Sequence, residues 1–148
     1  MAIIGIITNS NNIIELPNNL IIINEKTIEN IRNVKFDVIV IYEEIKENEK
    51  IKQIINNSRY LIINTDFKLN TKLINEEFSG VVITFGFYSK SSITIISNEN
   101  EEIILEIQRE IKSLKDEKIE CQEIKLNNNY GKNQIYPAIA MKILEILE

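Results

Sequence analysis

The sequence predicts an α/β protein built on a mainly parallel sheet flanked by helices, and two observations support this class. Short, continuous apolar runs recur along the first half of the chain. Segments whose apolar residues follow helical spacing lie between them and at the end of the chain. Parallel strands are covered on both faces and therefore appear as continuous apolar runs. We expect one domain spanning residues 1–148.

Five apolar runs are interpreted as strands, at residues 3–7, 20–23, 36–41, 60–63 and 81–85. Gly86 ends the last of them. Residues 25–32 and 43–55 are predicted to be helices between the strands, because their apolar residues recur at helical intervals. Alternation of strands and helices at this length favours parallel pairing.

After Gly86 the pattern changes to one typical of antiparallel strands. Residues 92–97 are predicted to form a strand, and 103–113 alternate mostly with period two. A strand at 103–113 would form an antiparallel hairpin extension with 119–126 through a turn at 115–118. A helix stays open as the alternative for 103–114, because apolar residues there also satisfy helical spacing.

The C-terminal segment is predicted to be a helix. A polar loop at 127–131 precedes it, and Pro137 suits the first turn of a helix. Residues 138–147 then place their apolar side chains on one face.

Composition excludes several functional classes. The net charge of −5 argues against nucleic-acid binding, and no apolar run approaches the roughly 20 residues that a bilayer-spanning helix needs. No signal peptide is visible, and the single Cys121 fits a reducing compartment, so we expect a cytoplasmic protein without membrane insertion. The chain has no histidine, the commonest general base and metal ligand. Any catalysis would then have to rest on carboxylates, Lys90, tyrosines or a metal with oxygen ligands. We expect no catalytic residues, no metal and no cofactor.

The first loop lacks the residues that hold a phosphate. Residues 8–12 read Thr-Asn-Ser-Asn-Asn and follow the first apolar run. A phosphate-binding loop needs glycines, so that backbone N–H groups can converge, and a lysine that neutralises charge. This loop has neither.

Several motifs in the same order resemble the central, ATP-binding domain of the Mur ligase family, the ATP-dependent amide ligases of peptidoglycan synthesis. Residues 131–141 match the spacing of the family segment G-x-H-N-x-x-N-A-x-A-A at Gly131, Ala138 and Ala140. Residues 61–66 and 81–86 are similar to two family strands that end in N-A-D-D and in t-f-G. Residues 37–42 resemble the strand that ends in a metal-binding glutamate, and 7–12 take the place of G-T-N-G-K-T. The resemblance implies a Rossmann-like fold.

The departures from that family lie at its ATP-contacting positions. Asn11 stands at the phosphate-binding lysine, Ile7 and Ser10 at glycines, and Tyr42 at the metal-binding glutamate. The His, Asn and Asn of the tail segment are replaced, in that order, by Asn133, Gln134 and Pro137. The resemblance therefore implies a pseudo-ligase domain without ligase activity. It would act by binding an unknown protein partner or by forming a homo-oligomer, and the ancestry suggests a link to the cell envelope.

A different function is kept as an alternative. The carboxyl edge of the sheet, where open α/β sheets bind ligands, could serve a regulator that binds a nucleotide or another small ligand. The side chains expected to line such a site are Asn9, Asn11, Asp66, Tyr88 and Lys90. Asp66 is alternatively a cap of the loop that follows it, and residues 85–92 are alternatively a plain turn.

Three further positions carry structural interpretations. Arg109 is expected to pair with Glu123 or another hairpin carboxylate, or to face a partner. Cys121 is expected to be a small buried hydrophobic residue. The acidic cluster of Glu99, Glu101 and Glu102 is expected to form a solvated turn.

Overall fold

The structure is a computed structural model that describes residues 2–9, 19–127 and 134–148. Within this part of the chain, one eight-stranded mixed sheet has the order β10-β7-β6-β5-β4-β3-β1-β2. Its strands are β1 (Ile4–Ile7), β2 (Leu20–Ile23), β3 (Val38–Ile41), β4 (Tyr60–Asn64), β5 (Val81–Gly86), β6 (Ile93–Glu99), β7 (Glu102–Ile107) and β10 (Gln122–Asn127). The short strands β8 (Ile111–Lys112) and β9 (Lys118–Ile119) form a separate ladder.

The strands β1 to β5 form the parallel half of the sheet, as the apolar runs predict. β1 pairs with β2 on one side and β3 on the other, so Ile4 lies opposite both Leu20 and Val38. β4 and β5 continue the sheet beyond β3. Every residue of β1, β3 and β4 is buried, which explains why these segments are continuously apolar.

The antiparallel half comprises β6, β7 and β10. β6 runs parallel to β5, but their pairing covers Phe85 opposite Ile93 and Gly86 opposite Thr94. β6 therefore starts where β5 ends and extends past the carboxyl edge of the parallel strands. β7 pairs antiparallel with β6, and β10 pairs antiparallel with β7.

The hairpin prediction is confirmed in type and corrected in detail. Residues 103–107 are a strand rather than a helix, but the ladder stops after Ile107 opposite Gln122. It resumes in β8 and β9, where Ile111 lies opposite Ile119. The Tyr60 hydroxyl donates to the Lys112 carbonyl at 2.6 Å and ties this second ladder to β4. Because Cys121 lies in the break between the ladders, it is exposed, and the prediction that it is buried was wrong.

Four helical segments occur in the described residues: a 3₁₀ helix at Ile28–Asn30, α1 (Glu49–Asn56), α2 (Lys68–Thr71) and α3 (Ile135–Leu147). The predicted helix at 25–32 was wrong, since only the 3₁₀ turn forms. The Asn24 side chain accepts hydrogen bonds from the backbone N–H groups of Lys26 and Thr27. Such local bonds compete with an α-helix.

The predicted helix at 43–55 begins late, at Glu49. Asn48 caps it, because its side chain accepts a hydrogen bond from the Ile51 N–H at 2.8 Å. At the other end of the chain, α3 includes Pro137 in its first turn, as expected. In the described residues, no helix combines the length and the apolar character needed to cross a membrane.

Two apolar cores lie on opposite faces of the sheet. Helix α3 packs on one face against residues from both halves, including Ile62 of β4, Phe85 of β5 and Leu105 of β7. The other core contains residues of β1 to β5 and their connections, among them Ile55 of α1. The parallel half is therefore covered on both faces by the described residues.

The acidic cluster forms the turn between β6 and β7, as predicted. Asn100 and Glu101 have φ angles of 53° and 63°. Two successive positive φ angles are the signature of a type I′ hairpin turn. Glu99 and Glu102 face each other across it.

Candidate functional site

The carboxyl edge of the parallel strands is the candidate site. The connection from β1 leads to β2 on one side, whereas β3 lies on the other side, so the strand order reverses beside β1. Open α/β sheets bind ligands at such a switch point. Thr8 and Asn9 leave β1 there, and Tyr42 and Glu43 leave β3 next to them.

Glu43 fills the position between these two strand ends with its own carboxylate. The buried Thr8 hydroxyl donates a hydrogen bond to the carboxylate oxygen Oε1. The Asn9 backbone N–H donates to the same oxygen at 2.5 Å. The Asn9 side chain donates to the Glu44 carbonyl at 3.2 Å. The first two residues of this loop thus donate hydrogen bonds to a carboxylate of the protein itself.

Tyr42 lies beneath this contact and stays protonated at neutral pH. Burial raises the pKa of its hydroxyl, a hydrogen bond with Thr8 lowers that pKa, and the charge of Glu43 raises it. The family resemblance aligns Tyr42 with a metal-binding glutamate. In the structure the carboxylate at this edge belongs to the next residue, Glu43.

Two buried amides fix the loop that carries Glu43. Asn64 donates to the Tyr42 carbonyl at 3.1 Å. Asn70 donates to the carbonyls of Glu43 at 3.0 Å and of Asn64 at 2.8 Å, and it accepts a hydrogen bond from the Ile45 N–H at 2.9 Å. Both amide side chains are fully buried. They hold the ends of β3 and β4 in one arrangement.

Asp66 forms a second polar centre, at the ends of β4 and β5. Its carboxylate accepts hydrogen bonds from the N–H groups of Phe87, at 2.9 and 3.0 Å, and of Tyr88, at 3.3 Å. It also accepts one from the Tyr136 hydroxyl of α3 at 2.8 Å. Asp66 therefore caps a loop, but that loop is the one after β5 rather than its own.

Gly86 allows this close approach. Its φ angle is +150°, and a Cβ atom there would lie 2.4 Å from Asp66 Oδ1. Burial, followed by the hydrogen bond to Asp66 and the charge of Asp66, raises the pKa of Tyr136 to about 12, with a smaller opposing effect from Asn64. Tyr136 therefore remains a hydrogen-bond donor to Asp66 across the neutral range.

The loop held by Asp66 presents two exposed aromatic side chains. Phe87 and Tyr88 are 51% and 55% exposed. Behind them, the ring of Tyr136 makes an edge contact with that of Phe67, with centroids 5.7 Å apart. Exposed aromatic rings on a fixed backbone are typical of protein-binding surfaces.

Arg109 anchors the far end of the same loop. Its guanidinium donates to the Lys90 carbonyl at 3.1 Å, and Gln108 donates to the Ser89 carbonyl at 2.8 Å. The expected pairing with Glu123 was wrong: among the described residues, the ion pairs do not include Arg109.

The predicted site residues fall into separate places along the edge. Asn9 lies at the end of β1, whereas Asp66 and Tyr88 share the centre at the end of β5. Lys90 is exposed farther along that loop. Asn11, like Ser10 and Asn133, lies outside the described residues. Gln134 and Pro137 lie at the start of α3, where Gln134 makes no side-chain cap.

A cavity of about 380 Å³ opens beside the end of β1. Ile7, Ile23 and Ile45 contribute to its apolar floor. Its charged lining residues in the described part of the chain are Glu25, Glu29, Lys46 and Glu47. No group of three or more Asp, Glu or Cys side chains suited to a metal ion occurs within residues 2–9, 19–127 and 134–148.

Sequence reasoning missed Glu43 and Asn70. Glu43 lies two residues after a buried strand that ends at the switch point, and that position alone was a signal. Asn70 gave no comparable signal, because its partners are carbonyl groups distant in sequence. A search of family models and a search of curated proteins found no match to this chain.

Proposed function

We propose that this chain is a non-catalytic domain, a shortened relative of the Mur ligase central domain with a Rossmann-like fold. It acts by binding another protein or a second copy of itself, and we expect it to do so in the cytoplasm. The observation that carries the non-catalytic part is the Glu43 carboxylate, which accepts hydrogen bonds from Thr8 and Asn9 at the switch point.

Glu43 disfavours a nucleotide phosphate for two reasons. It already uses the hydroxyl and the N–H that a phosphate would need, and its negative charge repels the phosphate. Phosphoryl transfer depends on lysine and metal charges that neutralise the transferred group. The charged side chains of the neighbouring cavity are instead mostly acidic, with Glu25, Glu29 and Glu47 against Lys46.

Calorimetry with ATP tests this proposal directly. Titration of ATP with Mg²⁺ should give the same heats as titration into buffer, with Mg²⁺ alone as the control. Glu43→Gln should also fail to bind, since removing the carboxylate does not supply the missing lysine and glycines. A one-to-one binding curve at micromolar affinity for the natural sequence would contradict the proposal.

The protein-binding part rests on two exposed surfaces. One is the aromatic pair Phe87 and Tyr88, whose backbone is fixed by Asp66. The other is the antiparallel half, where Ile96 is 48% exposed and Ile104 is half-buried on the face opposite α3. Apolar side chains on a rigid, one-sided sheet are suited to association with another protein.

A small-ligand regulator is the second candidate, and the cavity beside β1 favours it. Its volume and its apolar floor with a polar rim are typical of small-molecule sites. A thermal-shift screen of nucleotides and cell-wall precursors tests this function. A stabilising ligand should lose its effect in Lys46→Ala but keep it in Lys90→Ala, a matched exposed lysine outside the cavity. A screen without any stabilising compound would count against this candidate.

A further inference from the structure

β10 is the last strand at one edge of the sheet formed by the described residues. β10 pairs with β7 on one side, and within residues 2–9, 19–127 and 134–148 no strand pairs with it on the other. Its six residues contain neither proline nor glycine. Proteins often protect such an edge with proline, a bulge or charged side chains. β10 carries one positive and one negative residue, so its charges do not protect it against a copy of itself.

The two faces of β10 differ in character. Ile124 and Leu126 are half-buried against the core beneath α3. Glu123 and Lys125 are exposed on the opposite face. Glu123 lies directly opposite Glu106 of β7, and like charges in that arrangement are unfavourable. Among the described residues, neither of these carboxylates takes part in an ion pair.

Antiparallel pairing of two β10 strands about a twofold axis must place each residue opposite one on the same face. Three registers near the middle of the strand satisfy this condition. Centring on Glu123 or on Lys125 places like charges opposite each other. Centring on Ile124 places Glu123 of each copy opposite Lys125 of the other, twice.

The geometry points to a homodimer in which two β10 strands pair antiparallel with Ile124 at the twofold axis. The two Ile124 side chains meet on the α3 face, where each is only half-buried in one copy. On the other face, Lys125 of the second copy reaches Glu123 and offsets its repulsion from Glu106. The two sheets become one continuous sheet. This inference rests on the proposed function and names its partner as a second copy of this chain.

Charge reversal with complementation tests the register. Glu123→Lys alone and Lys125→Glu alone place like charges opposite each other at two pairs, so each should weaken dimerisation by about tenfold or more. A mixture of the two variants restores both opposite-charge pairs and should form a heterodimer. The double variant E123K/K125E should dimerise within about threefold of the natural sequence, since it exchanges the signs of each pair. Sedimentation equilibrium over a concentration series measures all five samples, with the natural sequence as the reference.

The interface is short, so a weak dimer is expected, and the series should reach roughly 1 mM protein. Circular dichroism checks that the variants fold. Because the side chains of Glu123 and Lys125 are both exposed, we expect the variants to fold. A natural sequence that stays monomeric throughout would overturn the inference, as would single variants that dimerise normally or a mixture that stays monomeric. None of these outcomes bears on ATP binding, which the calorimetric test of the proposed function measures separately.

Discussion

The two halves of the sheet differ in how many of their faces are covered, although both pack against helix α3. In the parallel half, β4 is buried at every position, because α3 covers one face and α1 with the connections covers the other. In the antiparallel half, β7 alternates between buried and more exposed residues. The second core contains no residue of β6, β7 or β10 among the described residues. Stability should therefore concentrate in the parallel half, while the free face of the other half remains available for contacts.

The largest test of this difference is a matched pair of isoleucine truncations. Ile62→Ala in β4 should lower the free energy of unfolding by about 2–5 kcal/mol, because it removes a fully buried side chain and leaves a cavity. Ile96→Ala, on the exposed face of β6, should change it by no more than about 0.5 kcal/mol. Urea denaturation measures both variants. Similar losses of unfolding free energy at the two sites would show that the face of the antiparallel half opposite α3 is covered.

The next test addresses the junction between the halves. Gly86→Ala should destabilise the protein by about 1–3 kcal/mol, because it combines a positive φ angle with a Cβ atom too close to Asp66. The Asp66 carboxylate must then move away from the N–H groups of Phe87 and Tyr88. Faster hydrogen exchange at these two amides, with little change in β1, is the expected result. Unchanged exchange there would contradict the role given to Asp66.

The third test uses pH. The pKa of Tyr136 is raised to about 12 from an ordinary value near 10, so folding favours the protonated hydroxyl. Its contribution to stability is fully present below about pH 10 and is lost as the pH rises through about 12. Tyr42 and Tyr60 also have raised pKa values. The measurement is therefore the difference between the natural sequence and Tyr136→Phe, whose stability should fall less steeply between these two pH values. If the stability of both proteins falls equally with pH, the Asp66–Tyr136 hydrogen bond does not contribute to stability.

The smallest effect is expected at the turn of the antiparallel half. Glu101→Gly creates the Asn-Gly sequence that a type I′ turn prefers and relieves a positive φ angle. It should raise the melting temperature, with a gain of about 0.5–1 kcal/mol. Glu99→Gly, in the extended strand two residues earlier, should lower stability instead. A loss in both variants would argue against the turn type.

Local pattern was sufficient for most of the fold. Continuous isoleucine-rich runs predicted β1, β3 and β4, and alternation favoured a strand at 103–107, because each pattern reflects how many faces are covered. The failures have local causes that periodicity does not contain. Asn24 turns the chain where a helix was expected at 25–32, and the break between two ladders exposes Cys121.

The candidate site was less predictable, because its contacts join distant parts of the chain. Asp66 was recognised as a polar residue at a strand end, but its partners lie 21, 22 and 70 residues away. The resemblance aligns the metal-binding glutamate with Tyr42, so it predicts no role for the neighbouring Glu43. Only the spatial order of β1 and β3 brings Thr8 and Glu43 together.

Helix α3 has a consequence for how the protein is made. It follows all the described strands, yet it packs in the core that includes Ile4 and Ile6 of the first strand. During synthesis, the isoleucine side chains on that face stay exposed until α3 leaves the ribosome. Uncovered apolar surface on a partly folded chain promotes aggregation and chaperone binding. A chain released before α3 would therefore be recognised as unfinished, however well its strands had already paired.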